Sequence, residues 1–254
     1  MSGVGILAYA GVAYAAFLAT FLWSIGFVGN FGGLTSVDVG PAQPLSTALA
    51  IDTGLLMLFG LQHSVMARKG FKAWLTSFVP RPAERSTYVL ASSLVLALVL
   101  WQWRPIGGAI WQIEAPEAVA LLTGLFWAGW GLVLVSTFLI DHFDLFGLRQ
   151  AWLSYQGREY TPSAFQTPGI YRLVRHPVMT GFMIAFWATP TMTAGHLLFA
   201  VVTTLYVEVA VRFEERDLVA SHGAAYEEYR ARTGRFLPRI GRVLPHPPVV
   251  PLPH

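Results

Sequence analysis

The chain predicts an all-α integral membrane protein of one domain, and three observations carry that prediction. Of its 254 residues, 54% are hydrophobic and only 12% are charged, about half the charged share of an ordinary soluble domain. Apolar residues collect into six segments, roughly 5–28, 46–66, 86–103, 118–140, 177–193 and 195–212, each near the length that crosses about 30 Å of hydrocarbon as helix. Every lysine and arginine except Arg104 falls in the loops and tail at one end of those segments. Five to six transmembrane helices follow, and the mean hydropathy of +0.52 agrees.

The first segment has no basic stretch ahead of it and no A-x-A-like site after it, so it reads as a retained helix rather than a cleaved signal peptide. The Gly- and Pro-containing stretch 29–46 leads to the second segment. The next loop carries Arg68, Lys69, Lys72, Arg81 and Arg85. Between the third and fourth segments lies only Arg104, whereas Arg149, Arg158, Arg172 and Arg175 follow the fourth. Gly129-x-Gly131 in the fourth segment has no strand before it and reads as close helix packing, not a dinucleotide fingerprint. The last two segments are short and nearly continuous across Thr189-Pro190-Thr191, a helix breaker. They predict a tight helical hairpin. Residues 1–243 form the domain, and the Pro-rich tail 244–254 reads as extended or disordered.

The charge asymmetry orients the chain. Basic residues concentrate on the cytoplasmic side of membrane proteins, so the expectation is a multi-pass protein of a bacterial inner membrane with both termini cytoplasmic. The net charge of +3 is spent on that orientation, which argues against a nucleic-acid partner. The absence of cysteine excludes disulfides, thiolate metal sites and a cysteine nucleophile. The seven histidines are scattered and form no H-x-x-x-H or H-E-x-x-H cluster, so no metal is expected.

Chemistry collects at the basic end. Arg175-His176-Pro177 opens the fifth segment, with proline suited to a first helical turn. Glu214, Glu215 and Asp217 follow the sixth. Leu218, His222, Tyr226 and Tyr229 are spaced four, four and three apart, which is one helical face. Two readings fit this region. In one, an amphipathic C-terminal helix merely lies on the membrane and Arg175-His176 anchors a helix end. In the other, the aromatic stripe and carboxylates close over a cation-bearing ligand, because aromatic faces attract cations. Glu208 and Arg212, one turn apart, read as a mutual pair, with Arg212 also able to face a pocket. Gln62-His63-Ser64 and Asp141-His142-Phe143-Asp144 point to the same boundary.

The run Gly169-x-Tyr171-x-x-x-Arg175-His176-Pro177-x-x-x-Gly181, an apolar hairpin, Glu214-Glu215-x-x-Leu218 and Gly223-x-x-Tyr226-x-x-Tyr229 resembles the membrane methyltransferases that include isoprenylcysteine carboxyl methyltransferase and phospholipid methyltransferases. Upstream, Gln62-His63-Ser64-Val65-Met66-Ala67-Arg68, Glu84-Arg85-Ser86-Thr87-Tyr88 and Asp141-His142-Phe143-Asp144-Leu145-Phe146-Gly147 resemble the bacterial methanethiol S-methyltransferases, within an NnrU-like group. The resemblance implies methylation of methanethiol, a small volatile thiol, by S-adenosyl-L-methionine, releasing dimethyl sulfide beside membrane lipid. It implies a cytoplasmic cofactor pocket built from Gln156, Phe165, Gln166, Tyr171, Arg175, His176, Pro177, Gly181, Glu214, Glu215, Tyr226 and Tyr229, with Arg212 on the substrate side. Met179 stands where the common motif has tyrosine, so one polar or aromatic contact is missing there. A thiol must lose its proton to become the competent nucleophile, and His142 paired with Asp141, or His63, are the candidate bases. A related enzyme acting on a lipid or other amphiphile, and a non-catalytic NnrU-like protein, are the competing readings.

Overall fold

The computed structural model describes residues 1–32, 35–162 and 165–239; the expected Pro-rich tail 244–254 lies outside them. Five helices are long and apolar enough to cross a membrane: α1 (Gly3–Gly29), α2 (Leu45–Met66), α4 (Arg81–Gln102), α5 (Pro116–Ile140) and α9 (Ala194–His222). Short helices join them at the basic end: α3 (Lys69–Leu75), α6 (His142–Leu145), α7 (Leu148–Tyr155) and α10 (Ala224–Arg232). The chain is thus an all-α membrane protein that crosses several times.

Local chemistry sets the helix ends. Ser2 accepts the Gly5 N–H and caps α1, while Asn30 ends it in the left-handed conformation. Pro116 occupies the first turn of α5, where a missing N–H costs nothing. Asp141 ends α5 at φ 112 and caps α6 by accepting the Asp144 N–H.

The fifth segment departs from expectation. Its helix α8 (Pro177–Trp187) stops six residues short of 193. At 11 residues it rises about 16 Å, half a bilayer. The remainder is extended: β2 (Thr191–Thr193) pairs antiparallel with β1 (Ala109–Gln112). Unpaired backbone is not tolerated in hydrocarbon, and here it is satisfied. Ile113 N–H donates to the Pro190 carbonyl at 2.9 Å and the Trp111 indole to that of Thr189 at 3.2 Å. The sixth helix is longer than expected and runs ten residues past 212 to His222, which carries Glu214 and Glu215 on rigid helix.

α8 seats most closely on α5, through a glycine pair. A Cβ on Gly181 would stand 2.6 Å from the Gly129 carbonyl oxygen, and one on Gly129 would meet the Gly181 oxygen and Ala185 nitrogen at 2.7 Å. Gly129 therefore serves the close packing that its sequence suggested, whereas Gly131 has open space around it. The main core lies toward the opposite end, where Phe27, Trp103 and Phe199 meet edge to face and Trp103 donates to the Val37 carbonyl.

Candidate active site

Three buried groups organise the basic end. Arg175 Nε donates to Glu215 Oε1 at 2.7 Å, and His176 Nε2 stands 3.2 Å from the same oxygen. Arg235 reaches Glu215 Oε2 at 3.2 Å and Glu208 at 2.8 Å. The Arg175 guanidinium also donates to the carbonyls of Arg230 and Thr233. Alongside, Arg175 N–H bonds Gly234 and His176 N–H bonds Arg235. The C-terminal segment is thereby laced to the Arg175-His176 turn, and Glu215 is the knot.

Glu214, its neighbour, points elsewhere. Its side chain is 53% exposed against 5% for Glu215, and it faces His176 Nδ1 at 3.6 Å. Tyr171, Tyr88 and Arg85 all lie within its electrostatic reach. The exposed carboxylate thus sits among groups of α4, α9 and the turn before α8, which form the candidate recess. Tyr171 is fixed by donating its hydroxyl to the Ser136 carbonyl at 3.2 Å while its own carbonyl accepts from Tyr229. Burial, with Glu214 adding, pushes the Tyr171 phenol up to about 12. Burial likewise pushes Tyr226 up to about 12, with Glu215 adding. Both remain neutral hydroxyls.

Phe165 packs against His222, Tyr226 and Tyr229, with ring centroids 5.0, 5.8 and 5.7 Å away. The expected single helical face is not continuous: Gly223, at φ 53, breaks the helix between His222 and Tyr226. The bend still delivers all three rings to Phe165.

Of the expected pocket, Phe165, Tyr171, Arg175, His176, Pro177, Glu214, Glu215, Tyr226 and Tyr229 come together in this way. Gly181 faces α5 instead. Gln166 is exposed on the same loop as Phe165. Gln156 ends α7 and accepts from Arg158 at 3.5 Å. Arg212, with its side chain 62% exposed, pairs with Glu208 at 2.9 Å, as the mutual-pair reading had it.

The two candidate bases sit in matched settings. His142 Nε2 meets the Tyr14 hydroxyl at 2.7 Å and Nδ1 meets Thr137 Oγ1 at 2.9 Å. The expected His142–Asp141 pairing gives way, because both ring nitrogens are taken and Asp141 caps α6. Phe138 stacks on the ring at 4.1 Å, and burial pulls its pKa below the usual imidazole value. His63 Nε2 meets the Tyr88 hydroxyl at 2.7 Å and Nδ1 meets Ser92 Oγ at 3.2 Å. Arg85 lies over the Tyr88 ring at 5.2 Å and donates to the Leu145 carbonyl at 2.7 Å. Tyr14, Ser92 and Arg235 escaped sequence reasoning as site partners. Tyr14 is one aromatic in an apolar helix, and Arg235 is one of seven arginines after residue 211.

Fold and site define a multi-pass membrane protein with an exposed carboxylate and an aromatic cluster at its basic end. The family model described as NnrU protein matches residues 53–232, and the chain belongs to the NnrU family. It is 52% identical to methanethiol S-methyltransferase 2 of Bradyrhizobium diazoefficiens, over 93% of this chain and 91% of that one. It is also 52% identical to the methanethiol S-methyltransferase of Crocosphaera subtropica, over 95% of each. More distantly, it is 34% identical to nurim of Sus scrofa, over 69% of this chain and 70% of that one. No solved structure matches it.

Proposed function

We propose that the chain is an S-adenosylmethionine-dependent methyltransferase that converts methanethiol to dimethyl sulfide at the cytoplasmic face of a bacterial inner membrane. The near-full-length similarity to proteins named for that activity carries the reading. The donor set fits the cofactor. Glu214 offers an open carboxylate to a cationic group, and the aromatic faces of Phe165, Tyr171, Tyr226 and Tyr229 favour positive charge. Glu215, Arg175 and Arg235 hold the wall behind them, with His176 and Pro177 at the mouth of α8. Gln156 and Gln166 belong to the loop side of the same pocket in this reading. One domain, 1–243, carries the activity.

When bound, S-adenosylmethionine would supply an activated methyl group on a sulfonium centre. The protein's work is then to orient the acceptor, exclude water and take the acceptor's proton; positioning alone is worth a large share of such a barrier. A membrane site suits a small apolar thiol that arrives through the bilayer. Arg212 pairs with Glu208, and a small neutral thiol would require no guanidinium contact.

The test is a headspace assay on the reconstituted protein with S-adenosylmethionine and methanethiol, run beside lipid acceptors with a labelled methyl donor. Dimethyl sulfide is the expected product. Methyl transfer to lipid alone would make the chain an amphiphile methyltransferase. Failure to bind S-adenosylmethionine by calorimetry would make it a non-catalytic member of the family.

A further inference from the structure

Buried His142 and half-buried His63 share one pattern, a tyrosine hydroxyl on Nε2 and a serine or threonine hydroxyl on Nδ1. They differ in where the hydroxyl protons go. Thr137 donates its proton to the Leu134 carbonyl at 2.8 Å. It can only accept from His142, which fixes the proton on Nδ1 and leaves Nε2 to accept from Tyr14. That network is spent. It is also enclosed by Phe138, Phe143 and Phe146, at centroid distances of 4.1, 5.5 and 4.8 Å.

The His63 network retains freedom. Among the described contacts, neither Ser92 nor Tyr88 gives its hydroxyl proton to a backbone carbonyl, and Ser92 accepts from Gln62 at 3.3 Å. Both hydroxyl protons can therefore reorient, and His63 can hold its proton on either nitrogen. Tyr88 bonds His63 and lies within electrostatic reach of Glu214 and beneath Arg85. The charged and titratable groups facing this pair are Arg85 and Tyr88 from α4, Glu214 and Tyr206 from α9, and Arg68 near Tyr206. Arg85 opposes a second positive charge on His63 and favours a tyrosinate or thiolate nearby.

We propose that Tyr88 and His63 act as the relay that accepts the thiol proton, and that His142 is a packing residue. This rests on the methyltransferase reading. The thiol S–H bond breaks and its proton passes to the Tyr88 oxygen as the Tyr88 proton passes to His63 Nε2. The electron pair stays on the thiol sulfur. As thiolate, that sulfur takes the methyl group of the sulfonium donor, which leaves as a neutral thioether. Arg85 offsets the negative charge that develops on the thiol sulfur.

The test has two arms. In the first, histidine ring signals of the isotopically labelled protein are followed by NMR as methanethiol is added without methyl donor. The His63 resonance, assigned from His63→Gln, moves on addition of methanethiol in the wild type, as its hydrogen bond to Tyr88 is rearranged, and not in Tyr88→Phe. A shift confined to the His142 resonance, or no histidine shift, overturns the proposal. In the second arm, turnover by Tyr88→Phe and His63→Gln falls about 100-fold or more, the range for a lost acid–base group. The defect shrinks as pH rises and free thiolate increases, while calorimetric affinity for S-adenosylmethionine stays within about twofold. Full turnover in both variants, or a defect constant with pH, overturns the relay and leaves the methyltransferase reading intact. A wild-type protein with no turnover would instead overturn that reading.

Discussion

Adjacent carboxylates with different surroundings do different work at this site. Glu215 meets Arg175, His176 and Arg235 in a buried setting. Removing one member of such a pair leaves an unmatched buried charge and costs about 3–5 kcal/mol. Glu215→Ala should therefore lower the unfolding temperature sharply and loosen the C-terminal segment from the Arg175-His176 turn. Glu214 makes no such knot. Glu214→Ala should leave thermal unfolding close to wild type and weaken S-adenosylmethionine binding about tenfold or more, the scale of a lost charge-assisted contact. Paired melting curves and calorimetry decide this, and the opposite pattern would reverse the two roles. His142 supplies a third prediction. Burial depresses its pKa in the folded state, so below about pH 6.5 the unfolded chain takes up its proton first. The contribution is complete above that pH and is lost as pH falls toward the folded value. Melting temperatures between pH 5 and 8 should decline on the acid side in the wild type, and His142→Gln should flatten that decline. An unchanged slope would remove His142 from the acid-sensitive groups.

At the scale of elements, the half-helix α8 depends on its glycine contact with α5. A methyl group on Gly181 would fall 2.6 Å from a backbone oxygen and 2.9 Å from the Val133 nitrogen, and backbone cannot step aside as a flexible side chain can. Gly181→Ala should cost about 1–3 kcal/mol as overpacking and tilt the His176 end of α8. Gly131→Ala, with open space around it, is the control that should melt like the wild type. The five long helices were legible because hydropathy reports a span directly. The break after α8 was legible too, in the helix breaker Thr189-Pro190-Thr191, but not the extended form of residues 191–193, which pair with a strand some 80 residues earlier, Ala109–Gln112. No local pattern carries that pairing. The break at Gly223 hid in a similar way, since the spacing of His222, Tyr226 and Tyr229 fits one helix and only the positive φ separates them. Tyr171, His176 and Glu214 could be singled out in advance only because a family motif marks them, since Tyr171 bonds Ser136, 35 residues away, and His176 bonds Glu215, 39 residues away. Tyr14, 128 residues from the histidine that it bonds, could not.

For the whole molecule, the open question is which way the recess faces. Every helix end that meets the recess or its struts belongs to the basic side: the ends of α2, α5 and α9 and the starts of α4 and α8. The α2–α4 connection shows the asymmetry best. Arg68 pairs with Asp217 at 3.4 Å and lies over the Phe213 ring at 4.8 Å, tying this loop to the extended end of α9. Trp74 and Phe78 stand exposed beside Lys69 and Lys72. Aromatic rings at headgroup level with lysines beside them are the usual furniture of a membrane interface. The opposite end carries Arg104, whose guanidinium donates to Gln102 Oε1 at 2.8 Å and to the Trp103 carbonyl at 3.3 Å, so even this lone cation is held by local partners. Moving 16 arginines and lysines across the bilayer would be prohibitive beside moving one. The proposed orientation puts the basic end in the cytoplasm, where a water-soluble cofactor is made. The chain has no cysteine, so a single introduced thiol reports its own side. Ser77→Cys should react with a membrane-impermeant maleimide in inverted vesicles and stay unlabelled in intact cells, and Gly107→Cys should do the reverse. Labelling of Ser77→Cys from outside intact cells would turn the recess outward, away from any supply of S-adenosylmethionine, and would overturn the cytoplasmic assignment together with the proposed route of the cofactor.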